Sequence, residues 1–595
     1  MSLLEKIKTP EDLKKLSVKQ LPIVAEEIRQ KIISVTDHNG GHMASSLGAV
    51  DIIVALYYVF DFKKDKLIFD VGHQAYAHKI LSERFEQFDS IRTEGGLSGF
   101  PNIFESEYDA FTTGHAGTSI SAQLGYCLAR DAINEDYYVI SFVGDASLFN
   151  GENMEAMFST NTKPKKMLII LNDNGMSISK NNNGLYKVVS KITMKRHYSK
   201  FMGAMDKIFG WNFIGTFLKR LKLAFKRTID SYSFFDNLGL KYVGAFDGHD
   251  IKSLVNLFET FKYNPRATLM HIKTKKGKGF TPAENNADIY HGVSKHLVSS
   301  LNTFSQAIST LAMEQIEKND KIFFLTAGMA LGTGLKPVID KYPKNVVDVG
   351  ISEEYCVTLA AGMAIGGLKP VVCMYSTFLQ RAYDQVMIDV CLQNLPVVFL
   401  VDRAGLVGSD GVTHQGVFDL SYLSHIPNMT VLVPKDVNEL NTMFKYASKL
   451  NSPVAIRYPN GVCSEFETKQ EFSEQNLWEQ IKNGENISIL ACGPRMLDIA
   501  IKACKNKNVS VYNARTVKPL DTAVLDKIKG DKIITLEENS KIGGFGSLVL
   551  NYYASCGIQP NIKILGVDDK YIEQASTESQ LSKNKLTVEN LQELL

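Results

Sequence analysis

The chain has 595 residues, room for about four domains at roughly 150 residues each, so a small stapled module or a single peptide-binding domain is excluded. Hydrophobic residues make up 45% and charged residues 22%, the composition of an ordinary globular protein rather than of a disordered chain. Lys and Arg number 66 against 64 Asp and Glu, and a net charge of +2 gives no reason to expect nucleic acid or another polyanion as partner.

The chain opens MSLLEKIKTPEDLKKL, which mixes acids and lysines without an apolar run or a small-residue cleavage site and so does not read as a secretory signal. No stretch reaches the roughly 18 uninterrupted apolar residues of a membrane span, so a cytoplasmic protein without stable membrane insertion is expected. The eight cysteines are scattered without a C-x-x-C pair, which argues against a zinc site or a disulfide scaffold and suits buried small hydrophobes.

Short runs rich in Val and Ile, each followed by small polar residues and a helical pattern, occur at 137–145, 167–174, 346–354, 396–405 and 487–493. Continuous apolar strands alternating with helices predict an α/β protein of parallel or mostly parallel sheets covered on both faces. The polar residues then sit at the C-terminal ends of the strands, the edge at which open α/β sheets bind ligands. Three blocks are expected: 1–300, 301–463 and 477–595, with the polar stretch 464–476 as linker. Between Lys187 and Arg227 stand eleven Lys or Arg and one acid, Asp206, a local +10 that leaves −8 for the remainder. Phe217, Leu218, Leu221, Ala224, Phe225, Thr228 and Ile229 recur within it at helical spacing, which predicts a basic amphipathic helix: a solvated cover over an active site, or a membrane-surface or nucleic-acid contact.

Two strand ends carry the most chemistry, GDASLFNGEN at 144–153 and NDNGM at 172–176. Asp145 and Asn174 are 29 residues apart, a separation that suits one strand–helix–strand excursion bringing neighbouring strand ends together. A carboxylate, an amide oxygen and a main-chain carbonyl there suit octahedral Mg²⁺ bridging a diphosphate; helix caps or turn formers are the other use of such residues. Further along, GGHMASSLG at 40–48, DVGHQAYAHK at 70–79, TTGHAGTSIS at 112–121, DGHD at 247–250, YSTFLQRAYDQV at 375–386, DRAGLVGSDGVTHQGVFDLSYL at 402–423 and EENSKIGGFGS at 537–547 complete an ordered series.

This series resembles the 1-deoxy-D-xylulose-5-phosphate synthase family of transketolase-like enzymes, nearly end to end. The resemblance implies a diphosphate-binding first domain, a pyrimidine-binding second domain and a transketolase C-terminal third. It also implies thiamine diphosphate and Mg²⁺ as cofactors, pyruvate and D-glyceraldehyde 3-phosphate as substrates, and a homodimer. It assigns the metal to Asp145, Asn174 and Met176, and the cofactor to His73, Gly114, His115, Ala116, Ala146, Ser147, Asn174, Phe280 and Glu353. Glu353 would hydrogen-bond the aminopyrimidine; the adjacent Glu354 points about 100° away on a helix and cannot share that task. His42 would assist proton transfer, Asp410 and His414 would lie near the reacting atoms, and Tyr375, Arg381, Arg403, Arg457 and His291 would meet substrate. Lys276 lies close to Phe280, in a Lys run that a solvated loop would also explain.

Four departures from the family pattern surround the expected cofactor. Ala146 replaces the second Gly of GDG, where a Cβ would cost roughly 1–2 kcal/mol if positive φ were required. Ala116 and Gly117 remove hydroxyl donors, Gly175 stands in place of Glu, and Glu354 and Tyr355 replace Gln and His beside Glu353. The chain therefore reads as a diverged synthase, with two alternatives: a thiamine-diphosphate-binding paralogue with another acceptor or reduced activity, or a non-catalytic membrane-surface protein using the basic helix.

Overall fold

The computed structural model describes residues 2–159, 164–175, 232–293, 303–461 and 463–595. The basic segment 187–227 and Met176 lie outside the described residues. Among the described residues no helix is long and apolar enough to cross a membrane.

Three sheets carry the fold. The first contains β1 (Lys66–Phe69), β2 (Val139–Gly144), β3 (Met167–Asp173), β4 (Lys241–Asp247) and β5 (Thr268–Lys273), all parallel, in the order β1-β2-β3-β5-β4. Its strands are apolar without alternation because both faces are covered. Ile140, Phe142, Leu168 and Ile170 pack on one side with the helices Leu21–Asn39, Met43–Val59 and Ile251–Tyr263. Val139, Val143, Ile169 and Leu171 pack on the other with the helix Ser119–Ala132. The helix Met43–Val59 is buried along nearly its whole length, which explains a sequence apolar all round rather than on one stripe.

The second sheet contains β6 (Ile322–Thr326), β7 (Val346–Asp348), β8 (Lys369–Tyr375), β9 (Val398–Asp402), β10 (Thr430–Leu432) and β11 (Val454–Arg457). The third contains β12 (Glu479–Lys482), β13 (Ile487–Cys492), β14 (Ser510–Asn513), β16 (Lys532–Ser540) and β17 (Asn561–Val567), parallel except for the antiparallel edge β12. Between β14 and β16 in the chain, β15 (Thr516–Lys518) leaves the third sheet and adds an antiparallel edge to the second, giving the order β15-β10-β11-β9-β8-β6-β7. One apolar cluster then runs from Val372, Phe399 and Val401 through to Leu490, Tyr512 and Ile533. By compactness the chain accordingly falls into two units, residues 1–91 with 96–296, and residues 92–95 with 297–595.

Helices begin where side chains satisfy the free amides of the first turn. Asp436 accepts from Glu439 N at 2.8 Å, Asp250 of the DGHD stretch accepts from Ser253 N at 3.1 Å, and Thr303 with Gln306 forms a reciprocal box at the start of Phe304–Lys318. The strand expected at 346–354 stops at Asp348, and Glu353 opens the helix Glu353–Ile365; Gly350 at φ +74° turns the chain between them. Seven of the eight cysteines are buried, and all eight are unpaired thiols.

The second and third sheets are also joined by buried charge. Lys435 Nζ lies 2.6 Å from Glu479 Oε2 and Arg515 Nη1 lies 2.8 Å from Glu439 Oε1, with Asn513 donating to Glu439. Such a network is tolerable only when every member is paired. Lys435→Met is therefore expected to cost about 3–5 kcal/mol by leaving Glu479 buried beside a missing cation, read as a lower urea midpoint; an unchanged midpoint would show that the pair holds nothing together.

Candidate functional site

The C-terminal edge of the first sheet gathers several acids, and each is handled differently. Asp70, just past β1, accepts from Gly117 N at 2.9 Å, from Ser119 N at 3.2 Å and from Asn153 Nδ2 at 3.0 Å, so both its oxygens are satisfied. Asp173, ending β3, accepts from His271 Nε2 at 2.7 Å and from Gly175 N at 3.0 Å, which together hold its carboxyl below the usual range despite burial. Asp145, which follows β2, is only 3% exposed and its Oδ2 has no hydrogen-bond partner. Burial, reinforced by the charge of Asp173, pushes its carboxyl up to about 8. A buried carboxylate with an unused oxygen beside a second anion fits a cation ligand.

The histidines expected at this edge largely assemble. His42, His73 and His291 form a triangle with ring centroids 6.2, 6.1 and 5.4 Å apart, flanked by Phe100 at 5.0 Å from His42. Ser45 Oγ lies 3.1 Å from His291 Nδ1, and His42 N donates to Tyr76 Oη. Burial, then the nearby Lys276, lowers His73 to about 3, and the same two causes lead in depressing His291, so both rings are neutral. Lys276 is itself buried, which lowers its ammonium to about 8 against the opposing pull of Asp145 and Asp288. The solvated-loop reading of Lys276 is thereby corrected. His115 sits half-buried in the turn between buried Gly114 and Ala116. Phe280 packs edge-on against Tyr290 at 5.7 Å, and Ser147 is buried in the turn of helix Asp145–Leu148.

Three of the departures have structural reasons. Ala146 lies inside the helix Asp145–Leu148 and is not among the positive-φ residues, so the expected strain is absent. Gly117 has φ +94°, and a Cβ there would come within 2.1 Å of Asn150 Oδ1; a serine would be excluded while its amide serves Asp70. Gly175 has φ +73° in the turn that Asp173 caps.

The second unit carries the remaining candidates. Glu353 is 4% exposed, whereas Glu354 is half-buried and Tyr355 is exposed. Glu353 Oε2 accepts no hydrogen bond, and its nearest cation, Arg381 Nη1, is 3.9 Å away. Burial pushes the Glu353 carboxyl up to about 7, with Arg381 opposing and Glu354 adding to the rise. The Arg403 guanidinium lies 3.8 Å from the Tyr375 ring centroid and is steered by Asp402 Oδ2 at 2.9 Å and Gly332 O at 3.2 Å. A Cβ on Gly332 would overlap the Tyr375 hydroxyl, so a glycine is needed there. Asp410 pairs with Arg92 Nη1 at 2.8 Å, and His414, lowered by burial against the pull of Asp410, stands edge-on to Phe378 at 5.5 Å with Nδ1 2.9 Å from Thr413 Oγ1.

Arg457, expected at the substrate phosphate, ends β11. Its Nε donates to Asp419 Oδ2 at 2.9 Å and its Nη2 to the carbonyls of Gly416 and Glu538, with both members of the ion pair buried. The guanidinium therefore holds the 416–419 turn, a duty the residue type alone could not reveal. Sequence reasoning also missed Asp70, although it opens the DVGHQAYAHK stretch, and Arg92, whose only mark is the neighbouring Gly95-Gly96 pair.

The state of Glu353 can be measured through stability. A carboxyl that binds its proton more tightly in the folded chain leaves stability untouched below about pH 4.5, where folded and unfolded forms are both protonated. The cost grows as pH rises to about 7 and is constant above. Glu353→Gln is therefore expected to stabilise the cofactor-free protein by about 3 kcal/mol at pH 8, with the gain vanishing toward pH 4.5. Urea midpoints of both proteins across that range would show it, and a difference independent of pH would refute it.

Comparison with known proteins follows the same three regions. The family profile described as 1-deoxy-D-xylulose-5-phosphate synthase matches residues 4–274, the transketolase pyrimidine-binding profile matches 302–463, and the transketolase C-terminal profile matches 477–591. Curated proteins named 1-deoxy-D-xylulose-5-phosphate synthase are similar along the whole chain. The protein from Carboxydothermus hydrogenoformans is 44% identical over 99% of this chain and 98% of its own. That from Clostridium beijerinckii is 43% identical over 100% and 99%, and one from Thermus thermophilus is 43% identical over 97% and 95%. With identity of this degree over nearly every residue, the chain belongs to the 1-deoxy-D-xylulose-5-phosphate synthase family.

Proposed function

We propose that this chain condenses pyruvate, with loss of CO₂, and D-glyceraldehyde 3-phosphate to 1-deoxy-D-xylulose 5-phosphate, the first step of the non-mevalonate route to isoprenoids, as a cytoplasmic transferase using thiamine diphosphate and Mg²⁺. The observation that carries this reading is the 43–44% identity, across nearly the full length, to curated proteins bearing that name. The division of labour is 1–300 for diphosphate and metal, 301–463 for the pyrimidine ring and 477–595 as the C-terminal domain.

Thiamine diphosphate, when bound, supplies the electron sink that decarboxylation of a 2-oxo acid needs. Asp145, Asn174 and Met176 would hold its Mg²⁺, and the unused Asp145 oxygen supports this. Gly114, His115, Ala116, Ala146 and Ser147 would cradle the diphosphate, with His73 beside it and Phe280 against the ring. Glu353 would hold the pyrimidine; a carboxyl near half-protonation at pH 7 can both accept and return a proton there. Arg381, Arg403, Arg457 and Tyr375 offer cations and a hydroxyl to a phosphate dianion. His414, neutral and fixed by Thr413, is suited to donate its ring N–H to the acceptor's aldehyde oxygen, with Asp410 alongside. His42 and His291 would serve the pyruvate-derived group. A homodimer is part of this reading, supported by the exposed apolar side chains Tyr355, Ile365, Ile388 and Leu392 on neighbouring helical segments.

The test is pyruvate consumption by the full chain with thiamine diphosphate and Mg²⁺, with and without D-glyceraldehyde 3-phosphate. Consumption is expected to require both cofactors and to rise with the aldehyde, yielding a phosphorylated ketose. Cofactor-dependent consumption indifferent to the aldehyde would point to another acceptor, and binding to anionic vesicles without any turnover would replace the proposal with a membrane-surface role.

A further inference from the structure

Three adjacent strands of the first sheet place a tyrosine, a histidine and an aspartate in one line. In the register of the sheet His271 on β5 stands opposite Leu171 on β3 and Gly244 on β4. Asp173 is two residues beyond Leu171 and Tyr242 two residues before Gly244, so all three side chains emerge on the same face and rise diagonally toward the C-terminal edge. Tyr242 Oη is 2.6 Å from His271 Nδ1, and His271 Nε2 is 2.7 Å from Asp173 Oδ2. His271 is fully buried, and Phe235 stacks on Tyr242 at 5.6 Å. A Cβ at Gly244 would meet the His271 Cβ at 3.1 Å and its carbonyl oxygen at 2.4 Å, so the neighbouring position is kept bare.

The direction of this chain of bonds is set at its carboxylate end. The Asp173 carboxylate can only accept, so His271 donates to it from Nε2, and the Tyr242 hydroxyl, able to donate or accept, closes the line at Nδ1. The other Asp173 oxygen accepts from Gly175 N. From β5, Thr274 N donates to Asp173 O at 2.9 Å and Thr274 Oγ1 to Asn172 Oδ1 at 2.6 Å. Residues 172–175 are thus held from the β5 side at three points and by one bond within the turn, from Gly175 N to Asp173, which spans Asn174. Nothing in the proposed reaction uses Tyr242 or His271 directly, yet a buried line of three polar side chains is costly unless it specifies a geometry.

We infer that His271, backed by Tyr242, is a positioning residue that fixes the 172–175 turn and thereby sets the affinity of the chain for its divalent metal. The inference rests on the proposed role of Asn174 as a metal ligand. Partners one bond removed from a ligand commonly change metal affinity by 10–100-fold when lost. Glutamine can reproduce both contacts of His271, donating from Nε2 and accepting at Oε1, whereas phenylalanine can make neither.

Mn²⁺ binding to the full chain in the presence of thiamine diphosphate, followed by equilibrium dialysis, tests this without recourse to turnover. His271→Phe is expected to raise the Mn²⁺ Kd about 10–100-fold, Tyr242→Phe several-fold, and His271→Gln to restore most of the affinity. Gln123→Leu is the control: Gln123 is equally buried and bridges Val139 O and Leu168 O in the same sheet, far from the turn, so its loss should lower the melting temperature and leave the Kd unchanged. A wild-type Kd in Tyr242→Phe and His271→Phe overturns the inference, as does an equal loss in Gln123→Leu, which would mark the effect as general destabilisation. Should His271→Phe fail to fold, the contrast between Tyr242→Phe and His271→Gln decides. Failure of the unsubstituted chain to bind Mn²⁺ would overturn the metal assignment itself, an outcome distinct from normal binding that is indifferent to His271.

Discussion

The structure depends on how carboxylates are kept at the dry C-terminal edge of a parallel sheet. A strand buried on both faces delivers its first polar residue into a region with little water, where an ionised group must find partners or change its protonation. Asp70 finds three N–H donors and becomes a brace for the 113–119 turn. Asp173 finds a histidine and an amide. Asp145 and Glu353 are left short, each with an oxygen that accepts nothing, and burial drives both carboxyls far above their ordinary range. Asp70 and Asp173 thus hold loops, whereas Asp145 and Glu353 each keep an oxygen with capacity to spare.

The same contrast runs through the bases. Arg457 and Arg84 are buried against carboxylates and spend their guanidinium donors inside the protein. Arg84 and Asp109 belong to a second closed set in which His78 joins Tyr57 to Asp109, tying the 98–109 loop to the helical segment 76–84. Arg381 and Arg403, by contrast, make looser or more local contacts, at 3.9 Å from Glu353 and stacked on Tyr375. Lys276, His73 and His291 share one buried neighbourhood in which each cation would repel the next, which keeps the imidazoles neutral and ready to donate or accept.

Much of this was legible from residue order. Continuous apolar runs of five to seven residues announced parallel strands, and the strands formed at 139–144, 167–173, 398–402 and 487–492 as the pattern required. Asp145 and Glu353 stood out because an ordered series of motifs places a carboxylate at each, and both are buried. The ion pair of Arg457 was not legible because an arginine after a strand has the same appearance whatever it meets; the partner, Asp419, is 38 residues away. At Ala146 the cost of a Cβ hung on whether the position needs positive φ, which residue order does not state; the backbone there is an ordinary helical turn. The excursion of β15 into the second sheet left no mark, since three residues of strand carry too little pattern to say which edge they will join.

By itself, then, the sequence determined the class of fold, the three sheet regions and the family. These follow from local periodicity and from motifs, both of which are written along the chain. Only the tertiary structure decided which acids are satisfied and which are not, that Glu353 rather than Glu354 is buried, that Gly117 and Gly175 are demanded by backbone conformation, and that Tyr242, His271 and Asp173 form one line. Each of those facts depends on burial and on partners brought from distant positions, and the free energy of a charge or a hydrogen bond is set by that surrounding space rather than by its neighbours in sequence.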